Sequence, residues 1–158
     1  MTLTCWLDRG ITNNPIAAGL DNYLYTHEYG LDDGSTSPAS AITSYVESSQ
    51  LDIGEGDKFV FIRRLVPDVT FDGSTASSPS AAFTMKTRNF PGGAYLESNA
   101  STVTQSAAAT TTTVEQFTDQ VHIRLRGRAF ALKVGSTDTE VQWRLGSPRV
   151  DIREDGRR

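Results

Sequence analysis

Apolar and polar residues alternate with a period of two through the last third of the chain. Val121, Ile123 and Leu125 alternate with Gln120, His122, Arg124 and Arg126, the pattern of a half-buried strand. After Gly127, Phe130, Leu132 and Val134 alternate with Ala129, Ala131 and Lys133. A turn at Gly135-Ser136-Thr137-Asp138 follows, then Val141, Trp143 and Leu145 alternate with Gln142 and Arg144. Gly146-Ser147-Pro148 ends that strand, and Val150 and Ile152 open a last short one before Asp155-Gly156. Eleven apolar side chains are thereby predicted to face one side of three or four neighbouring strands. This antiparallel unit is the best-specified part of the sequence.

Upstream the pattern remains β but is less regular. Residues 4–7, 23–28, 41–48 and 58–66 are short segments rich in aromatic or β-branched residues, separated by Gly, Asp, Asn and Pro. Residues 83–88 and 95–97 flank Asn89-Phe90-Pro91-Gly92-Gly93, a turn with two glycines. No stretch sustains the i, i+3, i+4, i+7 spacing of an amphipathic helix. Residues 72–80 and 98–113, small, polar and poor in anchoring side chains, read as loops that order on assembly. The expected fold is all-β, an antiparallel β-sandwich or barrel with long Ser/Thr-rich loops. Its expected division is an edge-strand or propeller-blade-like segment over residues 1–30 and a β-sandwich over 31–158. Asp33-Gly34-Ser35-Thr36 and Asp72-Gly73-Ser74-Thr75 lie 39 residues apart. That spacing is close to a propeller-blade repeat, although two Asp-Gly turns arise easily by chance in an all-β chain.

Composition narrows the function. A chain of 158 residues and 17.2 kDa has room for one ordinary domain or two small ones. One cysteine, Cys5, and two histidines, His27 and His122, exclude a disulfide framework and a Cys/His zinc cluster. No apolar run approaches the ~18 residues of a membrane span, and no leader pattern follows Met1, so the chain reads as soluble, unsecreted and without a membrane span. The net charge of −4 conceals an asymmetry: residues 1–120 carry 6 Lys+Arg against 14 Asp+Glu, residues 121–158 carry 9 against 5. An acidic front and a basic tail suit contact with a polyanion or with an oppositely charged neighbour.

Catalytic patterns are weak. His122 stands among arginines, no Gly-x-Ser-x-Gly elbow occurs, and His27 and Glu28, as neighbours on a strand, point to opposite faces. Asp32-Asp33 and the pair Glu55 and Asp57 sit in turns, where carboxylates ordinarily cap or are solvated, and neither matches a calcium loop. Phosphate-binding glycine motifs are missing. The ordered charge feature is the stripe His122, Arg124, Arg126, whose side chains share one face of a strand about 7 Å apart. Lys133 or Arg144 is expected to extend it from a neighbouring strand. It reads as a row that holds nucleic-acid phosphates loosely, or as a solvated or subunit-pairing face. No aromatic residue interleaves with these cations along the chain, so a base-stacking platform is not expected.

The C-terminal run Arg124-Leu125-Arg126-Gly127-Arg128-Ala129-Phe130-Ala131-Leu132-Lys133-Val134, followed by Gln142-Trp143-Arg144-Leu145-Gly146-Ser147-Pro148-Arg149-Val150-Asp151-Ile152-Arg153 and Asp155-Gly156-Arg157-Arg158, resembles the C-terminus of tail nozzle or DNA-stabilization type structural proteins of short-tailed bacteriophages. Tyr45-Val46-Glu47-Ser48-Ser49, the segment Gly54-Glu55-Gly56-Asp57-Lys58-Phe59-Val60-Phe61-Ile62, Val66-Pro67-Asp68 and Arg88-Asn89-Phe90-Pro91-Gly92-Gly93 are similar to the same proteins in the same order. The resemblance runs from about Leu24 onward and carries no catalytic residue across. Members of that family are usually several times longer, with a propeller-like region upstream, so this chain looks like the C-terminal portion alone, with open edges in need of partner strands.

The resemblance implies a non-enzymatic virion protein, made in the host bacterial cytoplasm and placed in the phage tail, without cofactor. It implies a homo-oligomeric ring, sixfold in the family, that retains packaged DNA and lets it pass on ejection. Implied partners are further copies of the chain, neighbouring tail proteins such as the adaptor, a fibre or an upstream propeller chain, and transient, non-specific contact with phage DNA. On this reading His122, Arg124, Arg126, Lys133 and Arg144 are the candidate channel or intersubunit contacts. A carbohydrate- or receptor-binding module that uses Tyr23, Tyr25, Tyr29 or Tyr95 is the alternative. A cell-wall hydrolase on Glu55 or Asp57 is a third.

Overall fold

The computed structural model describes residues 2–9, 11, 13–52, 58–89 and 109–156. These form fifteen strands, every recorded pairing is antiparallel, and no helix occurs among the described residues. The chain divides into two compact units, Met1–Ile42 and Thr43–Arg158. The boundary falls twelve residues later than expected because the chain after residue 30 folds back into a small ribbon of its own.

In the first unit, β1 (Leu3–Leu7), β2 (Ile16–Gly19) and β3 (Leu24–Thr26) form a three-stranded sheet in sequence order. Ala17 is buried at its centre, opposite Trp6 on one side and Tyr25 on the other. Trp6 packs on the His27 ring at 4.8 Å, and the Tyr25 hydroxyl donates to Asp21. That bond holds the Asp21 carboxyl below, and the Tyr25 hydroxyl above, their ordinary values. Every residue of β1 is exposed, and Leu7 in β1 and Leu24 in β3 are more than half exposed. β4 (Asp32–Asp33) and β5 (Ser40–Ala41) close the ribbon.

The second unit is a β-sandwich. Its larger sheet orders β11 (Ala109–Glu115), β10 (Ser80–Arg88), β13 (Ala129–Ser136) and β6 (Ser44–Glu47), with β7 (Leu51–Asp52) also paired to β13. The smaller sheet orders β12 (Val121–Gly127), β8 (Val60–Val66) and β15 (Arg149–Glu154). A two-strand ribbon joins β9 (Val69–Thr70) to β14 (Arg144–Leu145), and the Asp68 carboxylate accepts the Ser147 N–H beside it. The sheets keep free edges and do not close into a barrel. Their inner faces share one core: Ile62, Leu65, Val121, Ile123 and Leu125 from the smaller sheet meet Ala81, Phe83, Met85, Val114, Phe130 and Val134 from the larger. Burying each large aliphatic or aromatic side chain contributes roughly 1.5–3 kcal/mol, so this seam holds the unit together.

The eleven apolar positions read from the alternation all belong to this core, five buried and six half-buried against it. They do not lie on neighbouring strands of one sheet, however. β12 and β13 are consecutive yet belong to opposite sheets, with only Arg128 between them, whose N–H donates to the Arg88 carbonyl. A Cβ on Gly127 would stand 2.7 Å from the Thr87 Cβ, so the chain makes this passage only with glycine there. Periodicity identifies which side chains point inward, and both sheets point inward to the same place.

Two expected loops also differ. Residues 109–113 belong to β11, whose threonines are at home on a pleated surface and whose whole length pairs with β10 from Ser80 to Lys86. Residues 98–108 lie outside the described residues. The segment after Phe71 is a loop, yet an anchored one: the Ser74 hydroxyl bridges the Gln142 N–H and carbonyl, and the Thr75 and Ala76 N–H groups both donate to the Glu140 carbonyl. The two Asp-Gly turns are built differently, since Gly73 takes a φ of +94° after β9 while Gly34 lies within the β4–β5 ribbon.

Candidate nucleic-acid interface

The outer face of the smaller sheet gathers most of the unit's arginines. β8 runs through its centre, so the register on both sides decides what meets what. Ile62 and Leu65 both point inward although three residues apart, which requires a bulge between them; Arg63 and Arg64 consequently both face solvent. On one side His122 pairs with Arg64 and Arg126 with Phe61; on the other Asp151 pairs with Arg64 and Arg153 with Phe61. Paired strands lie about 4.8 Å apart, so Arg126, Phe61 and Arg153 form a transverse row, with Arg63 and Arg124 beside it.

The charges on this face are only partly answered. Asp151 stands 3.7 Å from Arg64, and the Asp155 carboxylate accepts from the Arg126 Nε. Arg63, Arg124 and Arg153 form no ion pair with any described residue. They enclose a recess of about 540 Å³ together with Phe61, His122 and Ile123. Beside it, the Phe59 ring carries two guanidinium groups, Arg126 at 4.2 Å and Arg128 at 4.8 Å from its centroid. Aromatic and cationic side chains therefore do interleave here, contrary to the expectation from β12 alone. The interleaving runs across the strands, from β8, and is invisible along β12.

The predicted site residues separate. His122, Arg124 and Arg126 lie together on this face. Lys133 does not extend the row: it sits on the outer face of the larger sheet, its ammonium 4.4 Å from the Tyr45 ring centroid. Arg144 stands on the β9–β14 ribbon opposite Thr70. Strand order explains both, because the neighbour of β12 is β8 and neither β13 nor β14. The residues missed in the sequence are Phe61, Arg63, Arg64 and Arg153. Their signal was the doubled arginine inside the apolar run of residues 59–66, a break in alternation that marks a bulge.

The larger sheet presents a different surface. A shallow depression of about 430 Å³ crosses it over Thr113, Ala82 and Gly135, with Tyr45 at one end and Ser80 and Asp138 along one side. Its charges are answered internally: Lys86 donates to Glu47 at 2.8 Å, which holds the Glu47 carboxyl below its ordinary value. Of the other candidates, Tyr23 and Tyr29 are exposed, Tyr25 is half-buried, and Asp33 accepts the Ser35 N–H at 2.9 Å. Glu55, Asp57 and Tyr95 lie outside the described residues. No helix among the described residues is long and apolar enough to cross a membrane. No family model matches the chain, and no curated protein matches it.

Proposed function

We propose that the chain is a non-enzymatic structural component of a bacteriophage tail, of the nozzle or hub type, which assembles as a ring of copies around the path of the DNA. The observation that supports this reading is the outer face of β12, β8 and β15, where Arg63, Arg124 and Arg153 carry charge that no described residue neutralises. Unanswered cations on a rigid sheet attract a polyanion without selecting its sequence, which suits DNA that must be held and then released. Exposed Leu3, Trp6, Leu7 and Leu24 on the first unit supply apolar surface for contact with other chains.

The test is assembly and retention together. Light scattering and electron microscopy of the purified chain at rising concentration are expected to show closed rings, and a monomer throughout overturns the ring. In the virion, Arg63→Glu combined with Arg124→Glu is expected to lower DNA content while the isolated protein stays folded. Unchanged virion yield and DNA content overturn the DNA-facing role. A receptor-binding module is the second reading, favoured by the exposure of Tyr23 and Tyr29. Glycan-array binding by a soluble monomer selects it over the ring.

A further inference from the structure

We infer that the recess on the smaller sheet binds single-stranded nucleic acid, taking an unstacked base against Phe61 while the surrounding arginines hold the flanking phosphates. This rests on the reading of the same sheet as a DNA-facing surface and specifies the form of nucleic acid that it takes.

Three features carry the inference. First, Phe61 stands at the middle of the sheet and faces outward between Arg126 and Arg153, its direct partners on either side. A duplex keeps its base faces stacked inside and presents phosphate and groove edges, which gain nothing from an aromatic ring in a recess. A single strand has free base faces, and every base stacks on an aromatic ring whatever its identity. Second, the recess of about 540 Å³, lined by Phe61, Arg63, His122, Ile123, Arg124 and Arg153, lies within the roughly 300–1,000 Å³ of small-ligand sites. Third, the cations form a rim. Arg63, Arg124 and Arg153 come one from each of the three strands, and Arg126 lies two residues, about 7 Å, along β12 from Arg124, so phosphates on either side of the bound base meet a cation. Arg126 and Arg128 on the Phe59 ring continue the alternation of cation and aromatic ring beyond the recess.

Fluorescence anisotropy with the full chain tests this, using a labelled twelve-nucleotide oligothymidine and a labelled duplex of the same length over a range of salt. The single strand is expected to bind about tenfold or more tightly than the duplex. Phe61→Leu, which keeps apolar volume but removes the ring face, is expected to weaken single-strand binding about 5- to 100-fold with an unchanged salt slope. Phe61→Trp is expected to retain it. Arg124→Ala or Arg153→Ala is expected to reduce the slope of log affinity against log salt by about 0.7 each.

Equal affinity for duplex and single strand, or unaltered binding by folded Phe61→Leu, overturns the single-strand assignment and leaves the DNA-facing sheet standing. Failure of both probes to bind at low salt overturns both.

Discussion

The two sheets of the sandwich share one core and differ in how their outer faces treat charge. On the larger sheet each lysine has a local answer: Lys86 has Glu47, and Lys133 lies over the Tyr45 ring. On the smaller sheet the arginines outnumber their carboxylates, and Arg63, Arg124 and Arg153 have no acidic partner among the described residues. Burial and strand pairing do not explain the difference, since both faces belong to antiparallel sheets with equally apolar undersides. Surface charge is therefore informative when it is unanswered. A lysine beside its glutamate reports on the sheet, whereas an arginine without one is available to a partner.

The largest effect is expected from loosening the smaller sheet from the core that the two sheets share. Ile62, fully buried beneath the arginine face, anchors the smaller sheet to the shared core; Ile62→Ala is expected to destabilise the second unit by about 2–5 kcal/mol, read as a lower urea midpoint at constant slope. Next, Arg124→Ala is expected to weaken binding to heparin or nucleic acid and flatten its salt dependence, while Lys133→Ala leaves both unchanged. Equal losses from the two variants would erase the distinction between the faces.

A smaller effect runs in the opposite direction. Glu47→Gln removes the carboxylate that faces Lys86 and Lys133, so polyanion affinity should rise and the salt slope steepen by about 1 unit as the quiet face becomes cationic. The smallest is a pH effect. The hydrogen bond from Lys86, and then the charges of Lys86 and Lys133, hold the folded Glu47 carboxyl below its ordinary 4.5, against a desolvation that raises it. Across that window the unfolded chain binds the proton more readily, so stability is fully present above about pH 5 and is lost as pH falls through the depressed folded value. Denaturant midpoints at pH 7 and pH 3 should differ less in Glu47→Gln than in the parent chain.

Much of the core was legible because burial imposes a period on the sequence. Val121, Ile123, Leu125, Phe130 and Val134 are buried as their alternation requires. Sheet membership was not legible, because period two reports the direction of a side chain and carries no label for the sheet; Gly127 was the cue, and it looks like any turn glycine. β2 escaped since Ala17, Ala18 and Gly19 lack the β-branched bulk that marks strands. β11 escaped for the opposite reason, its threonines reading as loop residues until β10 supplies seven partners. At the site, His122, Arg124 and Arg126 were readable as one face of one strand. Phe61, Arg63 and Arg153 join them only through pairings across β8, which link positions about sixty and ninety residues apart in the chain. Lys133 and Arg144 do not extend the row for the same reason, since nearness in sequence stood in for nearness in the sheet.

The single-residue passage at Arg128 has a mechanical consequence. β12, which carries the arginine stripe, is an edge strand paired in its sheet with β8 alone, whereas β13 lies inside the larger sheet between β10 and the pair β6 and β7. With no slack between β12 and β13, tension applied to Arg124 by a sliding polymer passes through Gly127 directly into that interior strand. The load is then shared by two rows of hydrogen bonds in shear. The edge strand that carries the arginine stripe is thereby tethered to a strand held on both sides.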